Sequence, residues 1–306
     1  MPQRSAEVRD RAVGSLLGLA VGDAVGTTLE FRARDTYEPL TDMVGGGPFD
    51  LPVGVWTDDT SMALALADSL GECDGLDPAD LMGRFLLWYR GGEYSPTGRC
   101  FDIGNTVRDA LLRFEKSANP LAGSTDELAA GNGSLMRLSP IAIFGLGTSV
   151  IEMRGLAREQ SATTHGTRAC LDACEAFAVL LRSIVLGKSF ADAMADAAAV
   201  ETGEPIATIL SGSFVGKPRD QIRSTGYVAH SLEAALWSVA EGGDYRTIIL
   251  RAANLGHDAD TTAAIAGQVA GAMFGVSGIP ADWLEKLAWR HRLTAAVKRL
   301  LERTGP

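Results

Sequence analysis

The chain has few cysteines and few histidines, and basic residues are outnumbered. Its 306 residues include four cysteines (Cys73, Cys100, Cys170 and Cys174), too few for a disulfide scaffold at this length. A reducing, cytoplasmic setting is the expectation. Cys170 and Cys174 stand one helical turn apart, and two small buried apolar side chains are a simpler reading of that spacing than a metal pair. Lys and Arg number 28 against 38 Asp and Glu, for a net charge of -10. That balance disfavours nonspecific nucleic-acid binding, which runs on basic patches. Residues 1–10 lack the apolar core of a signal segment. The long uncharged stretch, residues 263–281, is rich in Ala and Gly and carries Gln268. It reads as a helix packed inside the protein, with no membrane span expected.

There is also no sustained two-residue alternation, no internal repeat and no low-complexity linker. Hydrophobic residues make up 46% and charged ones 22%, the balance of an ordinary globular chain. Apolar residues recur with a helical period over 13–24, 60–70, 168–186, 190–200, 227–240 and 281–300. Asp77-Pro78 supplies an N-cap followed by proline at the first helical position. One all-α domain over residues 1–306 is expected, with loops at Gly45-Gly46-Gly47-Pro48, at Gly91-Gly92 and over 211–226. The last loop carries Lys217, Arg219 and Arg223. A loop of that length in a compact domain is usually functional or mobile.

Two clusters carry chemistry. Trp56-Thr57-Asp58-Asp59-Thr60 places two carboxylates and two hydroxyls at the start of a helix. One acid suffices for an N-cap, so the second points to a hard cation, which selects carboxylate and hydroxyl oxygen. Asn254-Leu255-Gly256-His257-Asp258-Ala259-Asp260-Thr261-Thr262 repeats the pattern after a glycine turn. Both sets of acids are expected to stay ionised in the positive end of a helix dipole. Together they suit a shared centre, against the alternative of two independent caps. Neither the EF-hand loop nor the dinucleotide fingerprint is matched. A binuclear phosphoesterase usually recruits histidine ligands, and this chain has four histidines in all.

These clusters fall in an ordered series. It begins with Gly18-Leu19-Ala20-Val21-Gly22-Asp23-Ala24-Val25-Gly26 and Glu30-Phe31, then Gly45-Gly46-Gly47 and Trp56-Thr57-Asp58-Asp59-Thr60. Next come Phe101-Asp102-Ile103-Gly104-Asn105-Thr106, Gly131-Asn132-Gly133-Ser134-Leu135-Met136-Arg137, Thr164-His165 and Gly226-Tyr227. It closes on Gly256-His257-Asp258-Ala259-Asp260-Thr261-Thr262. The series resembles the ADP-ribosylglycohydrolase family, over about residues 11–293.

The resemblance implies a compact orthogonal helical bundle with a binuclear centre of Mg²⁺ or Mn²⁺. Its implied ligands are Thr57, Asp58, Asp59, Asp258, Asp260 and Thr261. It implies Glu30 and Asp102 as catalytic carboxylates. Their alternatives are an exposed surface acid and a cap for the helix starting at Asn105. Implied substrate contacts are Asn105, Gly131, Asn132, Gly133, Ser134, Met136, His165, Tyr227, Gly256 and His257. Glycine-flanked backbone amides suit a diphosphate, and Tyr227 suits stacking near adenosine. The implied activity is metal-dependent removal of ADP-ribose from modified protein side chains, with arginine favoured by the stretch 101–106. Serine-linked, nucleic-acid-linked or free ADP-ribose derivatives, and a non-catalytic ADP-ribose-binding module, are the alternatives. The expected partner is an ADP-ribosylated protein, with no nucleic acid, and the chain is expected to act as a monomer.

Overall fold

The computed structural model describes residues 2–304. Its architecture is built around two helices that touch backbone to backbone. Helix α1 (Pro2–Gly26) and a second, Ala259–Phe274, run antiparallel through the centre. Every fourth residue of α1 from 14 to 26 is glycine. A Cβ at Gly14, Gly18, Gly22 or Gly26 would meet a backbone oxygen of Gly271, Gly267, Ala263 or Ala259 at 2.2, 2.3, 2.1 or 2.4 Å. The high glycine content of a helical chain therefore reflects close backbone approach in part, and not only turns.

The other helices wrap this pair. They are α2 (Asp58–Cys73), α3 (Pro78–Gly91), α4 (Asn105–Ser117), α5 (Ser139–Phe144), α6 (Val150–Ala162) and α7 (Arg168–Val185). Then follow α8 (Phe190–Ala198), α9 (Ile206–Leu210), α10 (Val228–Ala240), α11 (Tyr245–Ala253), α13 (Ala281–Lys286) and α14 (Arg290–Thr304), with the second central helix, Ala259–Phe274, numbered α12 between α11 and α13. No strand occurs among the described residues; only isolated bridges such as Gly131 to Tyr227 do. Asp77 caps α3 by accepting from the N–H groups of Ala79 and Asp80, as its sequence promises. Cys170 and Cys174 are free and buried on α7, among the core side chains.

Three expectations change. Residues 263–281 do not form one helix: α12 ends at Phe274, where Gly275 turns the chain at φ +69°. Residues 281–300 form two helices instead of one, because Leu287 is extended and Trp289 adopts φ +53° between α13 and α14. The 211–226 loop is tied down. Lys217 pairs with Glu233 at 2.5 Å and Arg219 with Asp35 at 2.8 Å, so two of its three cations are already neutralised.

Of the described helices, one is long and apolar enough to cross a membrane. It spans Ser5–Leu29, and 94% of its apolar window is buried by the protein itself.

Candidate active site

The α1–α12 contact brings the end of α1 beside the start of α12, and the start of α2 packs at the same place. Three acidic segments therefore meet. Asp23 on α1 is fully buried and organises the first of them. Its Oδ1 accepts from the Thr57 N–H at 2.9 Å and the Thr57 hydroxyl at 3.0 Å. Its Oδ2 accepts from the Thr60 N–H at 3.0 Å and the Thr60 hydroxyl at 2.6 Å. One α1 carboxylate thus caps α2 from outside, because Thr57 itself makes no side-chain cap. Burial, then Asp260, raises the Asp23 pKa to about 7.

Asp260 is the hub. The Thr57 hydroxyl donates to its Oδ2 at 3.4 Å, and the Thr261 N–H to its Oδ1 at 2.7 Å. The Thr261 hydroxyl reaches Asp59 at 3.3 Å. Carboxylate oxygens of Asp23, Asp59 and Asp260 lie within 4.8 Å of one another, and so do those of Glu30, Asp258 and Asp260. Asp258 is held from the far side by the Asn132 amide, which donates to its Oδ2 at 2.7 Å and to Ser231 at 2.8 Å.

Glu30 is not the surface acid that composition favours: it is 5% exposed. A short 3₁₀ turn, Thr27–Leu29, follows α1 and swings it back over the start of α12. There its Oε2 accepts the Ala259 N–H at 2.9 Å. Asp102 is not a helix cap either. The cap position of α4 is Gly104, while Asp102 sits in the left-handed region at φ +60° and faces the cavity.

A cavity of ≈ 360 Å³ opens over this cluster, a size suited to a small organic ligand. Glu30, Asp58, Asp102, Asp258, Asp260 and Thr261 form its acidic floor. Asn105, Gly131, Asn132, Gly133, Met136 and His165 line it as well. Thr57 and Asp59 lie beneath this floor, fully buried. The expected contacts Ser134, Tyr227, Gly256 and His257 are not in its lining. The Ser134 hydroxyl is buried, accepting from Ser161 at 2.8 Å. Tyr227 packs edge-on against His230. Gly256 and His257 both have positive φ and shape the turn before α12, where His257 N–H donates to Arg32 at 2.7 Å.

The loop over 131–134 rests on two buried bases. A Cβ at Gly133 would meet the His165 ring at 2.8 Å, so that glycine is required for the close approach. Burial and the neighbouring Arg137 push the His165 pKa down to about 3, which keeps the ring neutral. Arg137 lies in the same motif and is fully buried, and the hydrogen bonds of its guanidinium among the described residues all go to neutral acceptors. Its guanidinium donates to Gln160 Oε1 at 3.0 Å, to the Gly133 carbonyl at 3.2 Å and to Thr164 at 2.9 Å. It also lies 4.7 Å from the Phe85 ring centre.

The sequence also gave no role to Asp23. Its signal was present: it is the single charge in the stretch 12–29, and a buried lone carboxylate needs partners.

Like charges this close cannot all ionise unaided. Burial, then Asp260, raises Asp58 well above its usual value, and burial, then Asp23, does so for Asp59. Asp258 reaches about 7, by burial and then Asp260. The helix dipoles expected to keep these acids ionised are therefore outweighed in the metal-free chain. One carboxylate oxygen, Asp59 Oδ2, is buried without any hydrogen-bond partner. An all-oxygen donor set with an orphaned carboxylate fits a hard divalent cation.

Comparisons with known proteins agree with this geometry. The family model described as ADP-ribosylglycohydrolase matches residues 4–306. An ADP-ribosylarginine hydrolase Tri1 of Pseudomonas putida (strain GB-1) is 46% identical over 297 residues, covering 96% of this chain and 78% of that protein. An ADP-ribosyl-[dinitrogen reductase] glycohydrolase of Rhodospirillum rubrum is 32% identical over 290 residues, with 92% and 91% covered. A solved structure described as an ADP-ribosylglycohydrolase-related protein complex superposes with TM-score 0.87 at 39% identity, over 98% of this chain and 99% of that one. With the family model matching residues 4–306 and the helical fold superposing over 98% of its length, this chain belongs to the ADP-ribosylglycohydrolase family.

Proposed function

We propose that this chain hydrolyses the N-glycosidic bond joining ADP-ribose to an arginine side chain of a modified protein. The observation that carries the reading is the convergence of Glu30 and Asp102 on one cavity floor with Asp58, Asp258 and Asp260. The near-full-length similarity to an ADP-ribosylarginine hydrolase supports the choice of linkage.

The chain's acids would hold two divalent cations, Mg²⁺ or Mn²⁺, through Thr57, Asp58, Asp59, Asp258, Asp260 and Thr261. Bound there, such cations supply positive charge that orients a ribose diol and acidifies water. Asp23 holds the start of α2 in place for that set, and Asn132 holds Asp258. Gly131 and Gly133 let the loop backbone approach a diphosphate, with neutral His165 below it.

Glu30 is the general base in this reading. Burial, then Asp260, raises the Glu30 pKa well above its usual value in the metal-free chain, so its work as a base relies on the positive charge that bound cations would supply, with the Ala259 N–H at the head of α12 acting in the same direction. Cleavage at the anomeric carbon passes through an oxocarbenium-like state. Water bonds to that carbon as the C–N bond breaks, and Glu30 takes the water's proton. The leaving group departs as neutral guanidine and takes up a proton afterwards. Asp102, whose pKa burial and then Asp260 push up to about 11 in the metal-free chain, is placed to face the guanidinium.

The test is release of ADP-ribose from an arginine-linked peptide beside a serine-linked one, each with Mg²⁺, Mn²⁺ or EDTA. Metal-dependent release from the arginine peptide is expected. Glu30→Gln should lower kcat by ~10²–10⁴-fold, and Asp258→Ala/Asp260→Ala should abolish turnover. Release from the serine peptide alone would overturn the linkage. Tight ADP-ribose binding without release from either would make the chain a binding module.

A further inference from the structure

Three aromatic rings from three distant segments meet at the rim of the acidic cavity. Phe31 lines the cavity and is 67% exposed. Its ring centre lies 6.2 Å from that of Phe49, and Phe49 lies 5.2 Å from Phe101. Each ring is adjacent to a site feature or held by one. Phe31 follows Glu30, and Phe101 precedes Asp102. Phe49 belongs to the 3₁₀ turn Gly47–Phe49, which is pressed against the segment leading to Glu30. A Cβ at Gly47 would meet the Thr27 carbonyl oxygen at 2.2 Å, and the Thr28 hydroxyl donates to the Gly45 carbonyl at 2.9 Å.

Phe31 is costly for the chain. A bulky residue at φ +60° is strained, and this one gains little packing in return. Its backbone is fixed all the same, with its N–H donating to the His257 carbonyl at 2.7 Å. The ring is thus held in an unfavourable conformation, exposed, beside two carboxylates. A ring face next to acids suits a planar cation: the face supplies quadrupole attraction and the acids supply charge.

We propose that Phe31, backed by Phe49 and Phe101, is the acceptor-side shelf on which the guanidinium of the modified arginine stacks, with Asp102 along the shelf edge. This rests on the arginine-linkage reading above and adds the residue that selects the linkage. Phe31 is here a specificity-determining residue that leaves the nucleotide end untouched.

The test uses the metal-loaded, full-length chain and three variants: Phe31→Gly, Phe31→Leu and Phe31→Tyr. Kinetics on an arginine-linked peptide are set beside the calorimetric affinity for free ADP-ribose and the melting temperature. Glycine accepts positive φ freely, so a purely structural role predicts that Phe31→Gly melts at or above wild type with unchanged kinetics. The shelf predicts a kcat/KM lower by about 3- to 30-fold for Phe31→Gly and Phe31→Leu. The ADP-ribose affinity stays within about twofold, at the low edge of the weakest cation–π contribution, and Phe31→Tyr restores the rate. A parallel loss of ADP-ribose affinity would overturn the proposal, because the ring would then stack on the nucleotide. Unchanged kcat/KM in both ring-less variants would overturn it too. If wild type itself fails on the arginine peptide, the fault lies in the linkage reading, and the shelf fails with it.

Discussion

At the scale of single residues, the site depends on polar groups buried for position. Arg137 is the extreme case: burial lowers its pKa to about 9, and its hydrogen bonds go to neutral acceptors. Three of its nitrogens carry hydrogen bonds to Gln160, Gly133 and Thr164, and a planar fork fits that set where an ammonium does not. Arg137→Lys should therefore leave buried acceptors unpaired and cost about 2–4 kcal/mol. Denaturant unfolding of the two proteins measures this, and a change below about 0.5 kcal/mol, the size of an ordinary surface substitution, would refute it. The Gly133 carbonyl loses its donor as well, so ADP-ribose affinity should fall alongside. The sequence made the metal-ligand candidates legible, because acids paired with threonines at two helix starts have few other uses. Asp23 and Arg137 were harder to read, since one charge in an otherwise uncharged run shows its partners only once the chain is folded. Ser134, Tyr227, Gly256 and His257, which the family resemblance implies as substrate contacts, do not line the cavity, although Gly133, Gly226 and Asp258 beside them do. Contiguity in sequence does not fix which side chain of a tight turn points inward.

At the scale of elements, the placement of the carboxylates depends on one helix contact. Glu30 and Asp23 face Asp258 and Asp260 only while α1 and α12 stay in backbone contact. Gly22 lies next to Asp23, and its Cβ position is 2.1 Å from the Ala263 carbonyl oxygen. Gly22→Ala must push the helices apart at the site, because the obstacle is backbone. We expect a loss of about 2–4 kcal/mol, in the range of core overpacking or more, with most of the activity lost. Gly83→Ala in α3 is the control, since nothing lies within 4 Å of its Cβ position. It should be neutral or stabilise by up to about 1 kcal/mol from helix propensity. Equal effects of the two alanines on melting temperature would discard the ladder as the organising contact. The helices were visible in the sequence through their period, but their ends were not always so. In the uncharged run 263–281 the stop signal at Gly275 is hidden among Gly267 and Gly271, which the helix carries for close packing. The break near Trp289 lies in a positive-φ turn built from residues that give no turn signal.

At the scale of the whole molecule, the acidic cluster sets how stability responds to pH and to cations. In the metal-free chain, burial and neighbouring acids raise Asp23 and Asp258 to about 7. Unfolded aspartates release their protons near ~3.9. Between these values the folded state binds more protons than the unfolded one, so stability falls as pH rises. The stabilisation is fully present below pH ~4 and lost by pH ~7–8. Cation binding reverses the sign. Asp258 and the other acids of the proposed ligand set must be deprotonated to act as ligands, so affinity grows with pH. A cation at a hundredfold its dissociation constant adds about 2.7 kcal/mol. Melting curves in EDTA and in saturating Mn²⁺, from pH 5 to 8.5, should therefore diverge. The EDTA series declines with pH, and the gap between the two widens. Asp260→Asn removes the charge that presses on most of the cluster, so it should flatten the EDTA series and shrink the gap. Parallel curves for wild type would mean that the acids are not the cation site, and the proposed mechanism would lose its charge balance.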